Sequence, residues 1–428
     1  MTAVNTLRSL VEEEMVQLSE EGCDVHVTAA ALEEAGTEES LMRVYQQLRK
    51  SIIRADFPYA EPTDLDGIRK ERPDGPRQLN VRTSAKRLTD RLSGAWLGRV
   101  AGCMLGKPVE GRNSKWIKAF LQNAEVWPLN DYFPRKSKDP DGNTVELTAE
   151  CCRGGVQAGV PDDDLNYTLV ALRLMEEKGY AFKTQDVARL WLSLLPYDCV
   201  CTAERRAYAN LVCERQPAEV PLYLNPYREW IGAQIRADFF GYATPGNPEL
   251  AAELAWRDAT LSHVKNGVYG EMFVAAMLSA ALVLDDVDKV IEAGLAQIPR
   301  KCRLAEAATD VLAWHKEKED WEEALQLVLE KYGHYHAVHT INNAAIVLLG
   351  LLYGGKDFTR TVCISVMCGL DTDCNGATAG SICGAMLGEQ ALPSNWSWPL
   401  NDRLQSTVSG LAENKISELV KRTKRLWR

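Results

Sequence analysis

Two short acidic runs hold the residues best suited to chemistry. Asp371 and Asp373 stand two apart in Gly369-Leu370-Asp371-Thr372-Asp373-Cys374-Asn375, and Asp162, Asp163 and Asp164 are consecutive after Pro161. Carboxylates this close repel one another unless a cation sits among them, and clustered hard oxygens are how Mg2+ and Ca2+ are bound. Each run also has a structural account. The aspartates at 162–164 lead into Leu169, Leu172 and Met175, a helical spacing, and first-turn carboxylates suit a helix dipole. Three consecutive carboxylates exceed what a cap requires. Asp371 and Asp373 precede a run with glycines at 376, 380, 384 and 388, a period that keeps them on one helix face. Each such glycine costs about 1 kcal/mol relative to alanine in a helix. The compensation expected is a second backbone packed closely on that face, which buries the two aspartates and makes a cation their natural partner.

A matching stripe supplies that second backbone. Gly94, Gly98, Gly102 and Gly106 repeat the same period within 88–111, and Gly106-Lys107-Pro108 is a helix stop. The two helices are expected to cross in contact at the centre of one helical body. A membrane pair of the small-residue type is excluded by Arg99 and the flanking charges. Glu110 follows the end of the first stripe and is placed to face Asp371 and Asp373; taken alone it reads as a surface glutamate. No stretch of the body alternates with period two, so the expectation is an all-α fold: one large helical domain over 88–428 and a small N-terminal helical module over 1–75. Within that module Leu7, Leu10, Val11, Met15 and Leu18 keep a helical spacing, and a segment with Pro58, Pro62, Pro73 and Pro76 reads as a strap.

Composition narrows the function. The 428 residues are 46% apolar and 25% charged with a net charge of −10, which argues against general nucleic-acid binding. The longest apolar run, within Ala344–Leu352, is too short to cross a membrane, and no secretory leader is visible. Twelve cysteines form no CxxC pair, so buried reduced thiols in a cytoplasmic protein are expected rather than zinc ligation. His334, His336 and His339 lie within Gly333–Thr340; a transition-metal site is one reading, substrate contact the preferred one. His263 is either a site residue or a satisfied core histidine.

Together these runs resemble the ADP-ribosylglycohydrolase family, which includes dinitrogenase-reductase-activating glycohydrolase and the ADP-ribosylhydrolases. The resemblance rests on Gly94-x-x-x-Gly98-x-x-x-Gly102-Cys103-Met104-Leu105-Gly106-Lys107-Pro108-Val109-Glu110, on Asp162-Asp163-Asp164-Leu165, and on Gly369-Leu370-Asp371-Thr372-Asp373-Cys374 with its glycine helix. It implies the orthogonal all-α fold of that family and a centre of two Mg2+ ions, with Mn2+ as a substitute. The ions would be held by Asp163, Asp164, Asp371 and Asp373, with Asp162 and Cys374 at the family's hydroxyl positions. Either Asp162-Asp163 or Asp163-Asp164 is available as the paired carboxylates. Glu110 and Asp163 are the implied catalytic carboxylates, and His263, Tyr335, His336 and His339 are placed near the nucleotide cleft. The implied reaction is metal-dependent hydrolysis of a ribosyl glycosidic bond in an ADP-ribosylated protein or an ADP-ribose derivative. Alternatives are a hydrolase of a small ribosyl metabolite such as a nucleoside, and a non-catalytic ADP-ribose-binding relative. Cys103, Leu165 and Cys374 depart from the family's pattern and mark a divergent subgroup.

Overall fold

The computed structural model describes residues 3–427; Met1, Thr2 and Arg428, the outermost positions of the two expected segments, lie outside it. Among the described residues there are twenty α-helices and two small antiparallel hairpins, Lys136–Lys138 with Thr144–Glu146 and Arg403–Gln405 with Glu413–Lys415. The hairpins are the one departure from an entirely helical expectation. Each is three residues per strand, too short to show a period in sequence. No helix of the described residues is long and apolar enough to cross a membrane.

Two antiparallel helices form the axis of the body. The first, Ala85–Gly106, begins at Ser84, whose hydroxyl accepts from the Arg87 N–H at 3.2 Å, and runs into a 3-10 turn, Lys107–Val109. The second is Thr372–Leu387. Their glycine stripes face each other rung by rung. A Cβ on Gly94, Gly98, Gly102 or Gly106 would overlap the backbone at Gly384, Gly380, Gly376 or Thr372 respectively. The reciprocal holds for Gly376, Gly380 and Gly384, which meet the carbonyls of Gly102, Gly98 and Gly94. Thr372 closes the ladder by donating its hydroxyl to the Gly106 carbonyl at 2.8 Å. Lys265–Ala281, Thr340–Gly354 and Phe358–Met367, all nearly wholly buried, pack around the axis. Such all-round burial is what apolar helices without a polar face require.

The antiparallel sense decides where the chemistry lies. It brings the C-terminal end of the first helix, and Glu110 beyond it, to the N-terminal end of the second, where Asp371 and Asp373 stand.

The N-terminal helices Ala3–Glu20, His26–Glu34 and Glu38–Leu48 gather a separate apolar cluster that includes Leu10, Val11, Leu41 and Tyr45 and takes in Leu224 from the body. Charges tie this cluster down. Buried Arg228 pairs with Glu14 at 2.8 Å and Glu21 at 2.7 Å, and Gln17 donates to Glu229 at 2.7 Å. The proline-rich strap is fastened as well: Glu61 pairs with Arg303 at 2.7 Å, and Trp256 donates to the Thr63 carbonyl at 2.8 Å.

The ladder reverses the usual effect of replacing a helical glycine. Gly102→Ala is expected to destabilise the fold by about 1–3 kcal/mol or more, because the methyl group meets rigid backbone. Gly36→Ala, where no atom lies within 4 Å, is expected to stay within about 0.5 kcal/mol of wild type. Denaturant unfolding of the two variants measures the contrast.

Candidate metal centre

Three segments converge at the end of the glycine axis. A tight turn delivers the Asp371 run: Gly369 (φ 79°) and Leu370 (φ 65°) are both left-handed, and Gly369 bridges to Asn113 in the segment after Glu110. A side chain on Gly369 would press on the backbone of residues 112–114. Leucine in that conformation costs on the order of 1–2 kcal/mol, which the surrounding contacts must hold in place. The Leu370 carbonyl accepts from the Gly111 N–H at 3.2 Å, joining the Glu110 segment to the Asp371 segment. Asn343, in the first turn of Thr340–Gly354, fixes the other side. Its Oδ1 accepts from the Asp371 N–H at 3.1 Å and from Asn375 Nδ2 at 2.8 Å.

The third segment is the start of Asp163–Lys178. Asp162 is its N-cap, with Oδ1 accepting from the Asp164 N–H at 3.0 Å. Its Oδ2 receives the Lys107 ammonium at 2.5 Å. Both Asp162 oxygens therefore have a protein partner, and Asp162 also offers a ligand atom beside Cys103 and Asp164. Arg99, wholly buried in the middle of the first glycine helix, donates to the Asp164 carbonyl at 2.6 Å and pairs with Asp238 at 2.8 Å. Burial opposes the charge of Arg99, and Asp238 and Asp164 more than offset it.

Ligand atoms meet in three overlapping groups, each within 4.8 Å: Cys103, Asp162 and Asp164; Asp164, Asp373 and Cys374; and Glu110, Asp371 and Asp373. Asp164 and Asp373 each belong to two groups and link them. Both are buried, and Asp164 Oδ2 and Asp373 Oδ1 have no hydrogen-bond partner. Buried carboxylate oxygens left unpaired are costly. A divalent cation fits here because it would satisfy them. Burial, reinforced by neighbouring carboxylates, pushes the pKa of Asp163, Asp164 and Asp373 well up. Burial raises Asp371 to about 6, against hydrogen bonds from Asp373 and Cys374. Glu110, exposed at the rim, is also raised, by desolvation and then by Asp162, with Lys107 opposing.

The structure thus brings together Glu110, Asp162, Asp164, Asp371, Asp373 and Cys374 of the expected set and adds Cys103, which carries no catalytic signal in sequence. Asp163 is half-buried beside them and joins none of the three groups; it feels the charges of Asp162, Glu204, Asp371 and Glu110. His263, His336 and His339, expected as substrate contacts, join none of the three groups. His263 is wholly buried, with Nδ1 2.8 Å from the Ser262 hydroxyl and Arg236 lowering its pKa further after burial. His339 is wholly buried too: Nδ1 accepts from the Ile341 N–H at 3.2 Å, Nε2 lies 3.9 Å from Glu20, and burial holds its pKa at about 3. Tyr335 stacks on His339 at 4.4 Å, and His336 stacks on Trp230 at 4.1 Å. Ring stacking and the His339–Glu20 contact tie the 333–340 loop to its neighbours, and His336 stays exposed.

Sequence reasoning missed Lys107, Asn343 and the structural use of Arg99. Only Arg99 carried a signal: a charged residue inside a glycine-striped, apolar helix has to be paired.

Raised carboxyl pKa values make the folded chain bind more protons than the unfolded one, so stability falls as pH rises through the interval. For Asp371 that interval runs from 3.8 to about 6. Chelator-treated protein is therefore expected to lose melting temperature across it, and added Mg2+ or Mn2+ to raise the melting temperature more at about pH 7 than at about pH 5. Differential scanning fluorimetry reads both; a cation effect independent of pH contradicts the assignment.

No curated protein matches the chain. A solved structure described as an "ADP-ribosylglycohydrolase-related protein complex" is similar, at 20% identity and a TM-score of 0.47, covering 80% of this chain and 100% of that one. The ADP-ribosylglycohydrolase profile matches residues 84–426, from the cap of the first glycine helix to just beyond the C-terminal helix Ile416–Lys424. The chain belongs to the ADP-ribosylglycohydrolase family.

Proposed function

We propose that the protein is a divalent-metal-dependent hydrolase that cleaves the C1–N or C1–O bond of a ribosyl group, with ADP-ribose on a protein side chain or in a small derivative as substrate. Family membership supports a glycosyl hydrolase of the ADP-ribose type. The observation that carries the metal-dependent reading is the pair of unpartnered buried oxygens on Asp164 and Asp373, with Glu110 at the solvent-facing edge of the same cluster.

A divalent cation held by Asp164, Asp371, Asp373 and Cys374 would supply positive charge to a ribose diol and acidify a nearby water. The chain's own residues supply the rest. Glycosidic cleavage passes through an oxocarbenium-like state and needs a carboxyl group able to give or take a proton near neutral pH. Glu110 is suited to that need: desolvation and Asp162 shift its pKa upward, and its position at the rim lets it reach a sugar in solution. Asp163, half-buried and within the field of Glu110 and Asp371, is the second carboxylate suited to orient the attacking water. Lys107 holds Asp162 and so keeps the Asp163–Asp164 turn in place. A smaller ribosyl metabolite is the second reading, favoured by Cys374 and the Lys107–Asp162 pair within the centre.

Glu110→Gln is expected to lower turnover by about 10²–10⁴-fold with metal binding and the helical circular dichroism spectrum retained. Asp371→Asn is expected to lose both metal binding and turnover. The assay uses an ADP-ribosylated protein, an ADP-ribose ester and a nucleoside in parallel with Mg2+. Release from the nucleoside alone favours the second reading, and a fully active Glu110→Gln variant removes Glu110 from the reaction.

A further inference from the structure

We infer that Cys374 binds the cation through sulfur and that the centre therefore prefers a borderline divalent ion, such as Co2+ or Zn2+, over Mg2+. This inference rests on the metal-dependent reading above. Its first support is the donor set. Cys374 Sγ lies within 4.8 Å of ligand oxygens of both Asp164 and Asp373, and its thiol is within hydrogen-bonding reach of Asp371. An ion placed to satisfy the unpartnered oxygens of Asp164 and Asp373 thus meets a sulfur on the same side. Cys374 is buried, at 6% exposure, on a helix whose first turn is pinned by Asn343 and by the glycine ladder.

Thiolate is a soft ligand. Mg2+ takes oxygen ligands and keeps its waters, whereas the later first-row ions accept sulfur readily. Replacing one oxygen donor by sulfur therefore weakens the site for Mg2+ more than for Co2+ or Zn2+. Binding displaces the Cys374 proton to solvent as the metal–sulfur bond forms, with no change in oxidation state.

The structure also separates this cysteine from the second thiol nearby. Cys103 shares its group with Asp162, and that position is already held by the Lys107 ammonium at 2.5 Å. A cation there would meet the lysine charge. Cys374 is the sulfur ligand; Cys103 is not.

Co2+ is the probe, added to chelator-treated full-length protein and followed by thiolate-to-cobalt charge-transfer absorption. Wild type and Cys103→Ser are expected to show the band, and Cys374→Ser to lose it. The preference for Co2+ over Mg2+, measured by competition, is expected to fall about tenfold or more in Cys374→Ser, the scale on which altering a ligand sphere changes metal affinity. X-ray absorption at the cobalt edge of wild type reads sulfur without any variant. Cobalt bound with no sulfur signature overturns the inference and leaves the metal-dependent reading standing. A band lost in Cys103→Ser and kept in Cys374→Ser overturns the assignment of the ligand. Failure of every divalent ion to bind removes both readings.

Discussion

Two backbones brought together with nothing but hydrogen atoms between them set the terms for everything else in this fold. At four successive turns the rungs Gly94–Gly384, Gly98–Gly380, Gly102–Gly376 and Gly106–Thr372 leave no space for a Cβ. Such contact replaces side-chain packing by direct backbone packing, so the relative height of the two helices has little freedom to drift. The end of one helix and the start of the other are therefore held in register, and Glu110, Asp371 and Asp373 inherit that register. A site built on rigid helix ends keeps its geometry better than one built on loops.

That rigidity concentrates negative charge where water is scarce, and the protein manages it by dividing the carboxylates. Asp238 and Asp164, the latter through its carbonyl and, at 3.4 Å, its Oδ1, go to Arg99, and Asp162 goes to Lys107. Behind Asp163, Glu204 is paired with Arg236 at 2.6 Å, and the same guanidinium serves Asp258 at 2.5 Å. Among the described residues, Asp371 and Asp373 are left without an ion pair, with the unpartnered Oδ2 of Asp164 in the same cluster. Burial and neighbouring carboxylates raise the pKa values of these groups and so favour protons on them. A cation and those protons compete for the same oxygens.

The sequence disclosed the parts of this arrangement that are periodic or local. The glycine stripes were legible because a four-residue period has one geometric meaning on a helix, and their mutual contact followed from the cost of so many glycines. The all-helical body followed from the absence of alternation, with only the two three-residue hairpins escaping notice. The acidic runs were legible because like charges rarely sit together without a partner. Which oxygens are free was not legible. That depends on Asp162 adopting the N-cap conformation and on Lys107 reaching it across 55 positions of chain. Asn343 offers no local signal at all, since its role exists only where its helix end meets residue 371. The burial of His263 and His339 was not legible for a related reason: it comes from segments far away in sequence.

The turn at Gly369 and Leu370 and the ladder beyond it lie late in the chain, while Arg99, Lys107 and Glu110 lie early. During synthesis the first glycine helix and the Asp162–Asp164 run emerge with their close-packed partner still unmade. Closing so long a loop carries an entropic cost and slows the step that makes it. The centre is complete only once both ends of that loop have met, and a cation that bound it would hold this long-range closure in place.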